Sequence, residues 1–174
     1  MDLGAANSRM SLERFHVAQA SAENGAARAI AELRAGEKQS HWIWYIFPQL
    51  AGLGHSSTAR FYSLAGLDEA FAYLRSPSLW QNYRTACAAV VDQLRAGKNL
   101  THLMGGSVDR QKLISSLTLF EVVADRLSAI EPSPEIREIA DNAREILAAA
   151  ERESFSRCEF TLRALHRAGD PPVR

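Results

Sequence analysis

Between Ser78 and Gly97, the residues Trp80, Tyr83, Cys87, Val90, Val91 and Leu94 recur at offsets near the helical period. The same period returns in Leu12, Phe15 and Gln19, in Ile30 and Leu33, in Leu113, Leu117, Phe120 and Val123, and in Ile136, Ile139 and Leu147. No alternating hydrophobic run is long enough for a strand, and no internal repeat is visible. Striped helices must bury their apolar sides against one another. The pattern predicts a mainly α fold, a single compact multi-helix domain of short and medium helices with little or no sheet.

Glycine, proline and capping residues divide these helices. Ser11 is placed to cap the first, and a second is expected from about Asn24 to Ala35 with Gly36 as its stop. Pro48 excludes a helix through its own position and biases Phe47 toward extended backbone. Ser56 or Ser57 opens a short helix, Asp68 is expected to cap the next, and Ser78 to cap the long one. Asn99 to Met104 reads as one turn of helix stopped by Gly105-Gly106, and Ser107 or Asp109 starts the following helix. Ser133 at N-cap with Pro134 at N1 opens the penultimate helix, and a last one covers about Glu159 to Ala168. Residues 1–10 read as a disordered leader, 11–168 as the domain and 169–174 as a tail.

Composition narrows the function classes. The chain has 174 residues, with 20 basic and 20 acidic side chains. That balance lacks the electrostatic footprint of a general nucleic-acid binder. No apolar run approaches the ~20 residues that span a bilayer, and the N-terminal segment has no apolar core of a secretory signal. Cys87 and Cys158 lie far apart and form no CxxC pair; Cys87 falls on an apolar stripe and reads as a reduced core cysteine, and a cytoplasmic location is expected. No histidine or cysteine spacing points to a metal site, and no motif implies a cofactor.

The residues from Ser40 to Leu50, Ser-His-Trp-Ile-Trp-Tyr-Ile-Phe-Pro-Gln-Leu, concentrate the candidate chemistry. Trp42, Trp44, Tyr45 and Phe47 fall close together in a chain that is 8% aromatic. Lys38, His41 and Gln49 flank them, and aromatic walls with a few polar groups are the usual make-up of a ligand pocket. His41 is the candidate general base. Gly52-Leu53-Gly54 leads into Ser56 and Ser57, where backbone amides at a helix start suit an anion. Farther on, Asp109, Lys112 and Ser116 share one face of a helix, among an unusual run of hydroxyls that includes Ser115 and Thr118. Phe61-Tyr62 and Tyr73-Leu74 read as core, and Arg157, Arg163, His166 and Arg167 as a solvated face.

These residues together resemble the DUF1810 family of conserved bacterial and fungal proteins of unknown function. The resemblance rests on Phe15 and Gln19, on the run from Glu32 to Leu50 with its Ser-His-Trp-x-Trp-x-x-Phe-Pro-Gln core, and on Gly52-Leu53-Gly54 and Ser56-Ser57. It continues through Phe61-Tyr62, Tyr73-Leu74, Asp109, Lys112, Ser115, Ser116 and Thr118. The family resemblance implies a compact, mainly helical fold and brings no established activity. Some relatives carry the label calpastatin, a repetitive inhibitor whose repeats this chain lacks. Ser76-Pro77 stands where the family usually has His-Pro, and the stretch from Cys158 to Leu162 lacks the family's usual aspartate.

Two functional expectations follow. The first is a site for a small anionic ligand, a nucleotide or other phosphorylated metabolite. Lys38, Trp44, Gln49, Ser56, Ser57, Lys112 and Ser116 would line it, and His41 would supply any hydrolytic or transfer chemistry. The second is a non-enzymatic interaction module whose aromatic segment is core or a partner surface.

Overall fold

A computed structural model of the chain describes residues 12–169. The expected leader, the tail beyond Gly169 and the Ser11 cap lie outside the described residues. Among the described residues there are ten helices and no strand, and 72% of those residues are helical. The helices are α1 (residues 12–19), α2 (Ala26–Ala35), α3 (Ile43–Ile46), α4 (Ser57–Phe61) and α5 (Leu67–Arg75). They continue with α6 (Pro77–Arg95), α7 (Leu100–Leu103), α8 (Ser107–Ile130), α9 (Pro134–Arg152) and α10 (Glu159–Gly169). None is long and apolar enough to cross a membrane.

Helix α8 is the axis of the arrangement. Every residue from Leu113 to Phe120 is buried, the signature of a helix enclosed on all sides rather than laid on a surface. It packs against α9, α5, α10, α3 and α7, while α6 packs against α9 and α2. The run of hydroxyls that looked unusual in sequence is part of this enclosed stretch. Ser115 Oγ donates to the Gln111 carbonyl at 3.0 Å and Thr118 Oγ1 to the Ile114 carbonyl at 2.7 Å, so both are satisfied within the helix.

Aromatic rings fill the centre. Phe15 meets Tyr73 edge-on at 5.3 Å, Phe47 meets Tyr83 at 5.3 Å, and Phe120 lies 4.7 Å from Tyr83. The phenol groups find partners: Gln19 Nε2 donates to Tyr73 Oη at 2.9 Å, and Tyr83 Oη lies 3.0 Å from Ser116 Oγ. Burial pushes both phenols above their ordinary range. The Cys87 thiol is raised for the same reason, as expected of a core cysteine.

Several boundaries differ from the sequence reading. Helix α6 starts at Pro77 with Ser76 at N-cap, so Ser78 lies inside the first turn. Proline at N1 has no amide to orphan, and that preference outranks the serine two residues on. Asp68 sits in the first turn of α5 behind Gly66 rather than capping it. Helix α2 starts at Ala26 because Gly25 occupies a tight turn, where a Cβ would come 2.2 Å from the Ser21 carbonyl oxygen. Phe61 is 60% exposed and stacks on Tyr62 from outside, so it is not core, whereas Tyr73 and Leu74 are. Arg157 is no simple solvated side chain, since it pairs with Glu121 and Glu151.

Candidate functional site

The site begins at the end of α2. Gly36 adopts φ 92°, and its N–H and that of Glu37 close back on Leu33 and Glu32 carbonyls, which reverses the chain. The return path lays residues 39–42 beside the Glu32 side chain. Its carboxylate accepts from the backbone N–H of Gln39 at 2.8 Å and of Ser40 at 3.0 Å, from Ser40 Oγ, from Trp42 Nε1 at 2.8 Å and from Arg28 Nε at 2.8 Å. Burial alone would raise the pKa of this carboxyl group. The donors from Ser40, Arg28 and Gln39 outweigh burial and hold it well below the ordinary carboxylate range. Glu32 therefore stays ionised and fixes the start of the aromatic segment.

That segment then divides into core and surface. Trp42, Ile43 and Phe47 are fully buried and Tyr45 nearly so. Gln19 Nε2 donates to the Tyr45 carbonyl at 2.7 Å, joining α1 to α3. Trp44 faces the other way and is half-buried. Its indole Nε1 is shut off from solvent without a hydrogen-bond acceptor among the described residues.

Beside Trp44 lies the first turn of α8. Asp109 takes Lys38 Nζ on one carboxylate oxygen at 2.8 Å and Lys112 Nζ on the other at 3.3 Å. The Lys38 ammonium also donates to the Ser40 carbonyl and lies 4.9 Å from the Trp42 ring centre. The Lys112 ammonium lies 4.7 Å from the Trp44 ring centre. Lys38 is held by its backbone too, its N–H donating to the Leu103 carbonyl at 2.8 Å. Gly105, at φ 71°, lets the chain pass so close that a Cβ would meet the Lys38 carbonyl oxygen at 3.0 Å. Two ammonium groups thus share one carboxylate at the positive end of a long helix.

The structure brings Lys38, Trp44 and Lys112 of the expected ligand set together, with Asp109 between the two lysines. The other candidates have different surroundings. His41 is exposed, and its imidazole makes no hydrogen bond or ion pair among the described residues. Gln49 is buried, with its backbone carbonyl accepting from the Leu64 N–H at 2.9 Å and its amide against Gly54. Ser56 caps α4 through its hydroxyl, which accepts from the Ala59 N–H at 3.1 Å, and Ser57 is exposed beside it. Ser116 is fully buried against Tyr83 and faces no solvent.

Glu32 and Trp42 are the organising pair that residue spacing did not single out. Their signal was present: a glutamate between Ala29 and Leu33 on the buried face of α2 demands partners. The sequence reading also missed the surface clefts. One of about 850 Å³ lies between α1 and α5, and one of about 450 Å³ lies where the α9–α10 connection meets α8. Neither is lined by Lys38, His41, Trp44, Gln49 or Lys112.

Comparison with known proteins bears on fold and family. No curated protein matches the chain. The conserved hypothetical protein Rv1873 from Mycobacterium tuberculosis, known from a crystal structure, is 28% identical with a TM-score of 0.66, over 89% of this chain and 96% of that one. Residues 9–133 match the family described as "Protein of unknown function (DUF1810)". That match takes in the Glu32 cradle, the aromatic segment and the lysine pair at the start of α8, and the chain belongs to this family.

Proposed function

We propose that the protein binds a small anionic ligand, a nucleotide or other phosphorylated metabolite, at the N-terminal end of α8. The observation that supports this most is the shared carboxylate. Asp109 neutralises only one of Lys38 and Lys112, and the Lys112 ammonium lies on the Trp44 ring, whose buried N–H has no acceptor among the described residues. A phosphate or carboxylate would meet one surplus positive charge and the helix terminus together. The Lys112–Asp109 pair is partly exposed, and exposed pairs are worth only about 0–1 kcal/mol, so an incoming anion can replace it. Movement of the Lys112 ammonium off the Trp44 ring would free that ring to stack on a base.

The reading is one of binding. Hydrolysis or transfer with His41 as base draws no support from the surroundings of that exposed side chain. The alternative, a partner surface made by the aromatic segment, has less behind it, because Trp42, Tyr45 and Phe47 are buried in the core. A cytoplasmic setting belongs to the same proposal and is supported by the free thiols of Cys87 and Cys158.

A thermal-shift screen of nucleotides and sugar phosphates at low ionic strength tests it. Anionic compounds should raise the melting temperature of the native chain and raise that of Lys112→Ala less. An absence of any shift, or equal shifts in both proteins, would overturn the proposal.

A further inference from the structure

The cleft of about 850 Å³ lies at the opposite end of α8 from the lysine pair, roughly 30 Å away along the helix axis. Its walls follow from helical spacing. Asp68, Phe71, Ala72 and Arg75 stand on one face of α5, at steps of three and four residues, and look across to Leu12, Glu13 and His16 of α1. The core side of α5 is a different face, made by Ala70, Tyr73 and Leu74. The cleft side of α5 is mixed: Phe71 and Ala72, both partly buried, lie between the charged Asp68 and Arg75. Ile130, 68% exposed at the end of α8, extends the apolar rim of the same cleft.

Charge decides what such a cleft can hold. Arg75 is already committed to Glu131, its Nε at 3.0 Å and its Nη2 at 2.8 Å. His16 is held between two hydroxyls, Nε2 lying 3.2 Å from Ser76 Oγ and Nδ1 3.2 Å from Ser78 Oγ. Glu13 and Asp68 are exposed and make no ion pair among the described residues. The cleft thus offers an apolar floor of Leu12 and Phe71, with Ile130 at its rim and the Glu131-paired Arg75 guanidinium 5.7 Å from the Phe71 ring centre, and two carboxylates at its edge that are unpaired among the described residues. We propose that it binds a small organic cation, with an alkyl or aryl body against that floor and an ammonium group at Glu13 and Asp68. The volume falls within the range of small-molecule pockets, about 300–1,000 Å³. This site is separate from the anion site of α8, and either can exist without the other.

The test titrates the full chain, observed by amide NMR, with 4-phenylbutylamine, its alcohol isostere 4-phenylbutan-1-ol and 4-phenylbutanoate. The amine should shift signals of α1, α5 and the end of α8 in a saturable way, and bind more tightly than the alcohol or the carboxylate. Asp68→Asn and Glu13→Gln, both at exposed positions, should each weaken the amine by about 2- to 5-fold and leave the alcohol unchanged. The proposal is overturned if 4-phenylbutanoate binds as tightly as the amine, if the amine's shifts map elsewhere, or if neither substitution changes its affinity.

Discussion

The indole N–H of Trp42 donates to the carboxylate of Glu32 at 2.8 Å, and both side chains are buried. This bond fastens the aromatic segment to α2. It also explains how one chain turn can send Trp42 into the core and leave Trp44 half-buried. The Trp42 end is pinned by charge, and the pinned geometry leaves Trp44 beside Lys112.

Removing the Glu32 carboxylate should therefore unfasten more than one bond. Glu32→Ala leaves the Trp42 N–H and the Gln39 and Ser40 amides without their acceptor. The expected loss is about 3 kcal/mol in denaturant unfolding, with Glu32→Gln losing less because it keeps one acceptor oxygen.

The same carboxylate gives a pH signature. Its folded-state pKa lies below the ordinary value of 4.5, so the unfolded chain takes up the proton first. Its contribution to stability is full above 4.5 and is lost as the pH falls from there toward the folded-state value. Unfolding curves across acidic pH should show a steeper decline for the native chain than for Glu32→Gln.

Asp109 should matter more to folding than Lys112 does. Asp109→Ala strands Lys38, whose side chain is only 7% exposed, without a carboxylate. A loss of about 2–3 kcal/mol is expected, against under about 1 kcal/mol for Lys112→Ala. A double-mutant cycle on Lys38 and Asp109 measures the coupling directly.

Ser116 is predicted to act through Tyr83 alone. Ser116→Ala removes the partner of a fully buried phenol and should lower stability by about 1 kcal/mol. Anion affinity, read from thermal shifts, should be unchanged.

One substitution should stabilise the protein. Ser154 adopts φ 68° where α9 ends, its N–H closing on the Glu151 carbonyl and that of Phe155 on the Ala150 carbonyl. That is the position where helices prefer glycine, so Ser154→Gly should raise stability by roughly 0.5–1 kcal/mol.

The fold was legible where local chemistry decides it. Gly36, Ser56, Ser133 and Pro134 all mark helix ends as expected, because a cap depends on residues about one turn away. The errors at Ser78 and Asp68 arose where two residues competed for one cap and backbone geometry chose between them. Lys38 and Trp44 were legible because polar side chains among aromatics stand out in sequence, and Lys112 because it shares a helix face with Asp109. Glu32 was not, because its donors sit on a loop whose course depends on the Gly36 reversal. The hydroxyls of α8 misled for a related reason. Ser115 and Thr118 satisfy themselves on their own helix, which spacing cannot distinguish from a site. The α1–α5 cleft was invisible because its two walls meet only in the folded chain.

The central claim is that an anion engages the Lys38–Asp109–Lys112 cluster beside Trp44. The most direct measurement follows the indole N–H signals of Trp42, Trp44 and Trp80 by NMR during titration with a nucleoside diphosphate. The account predicts a saturable shift of the Trp44 signal, little change at Trp42 with its bond to Glu32 intact, and loss of the response in Lys112→Ala. A Trp44 signal that stays in place at saturating nucleotide, or that moves equally in Lys112→Ala, would contradict it.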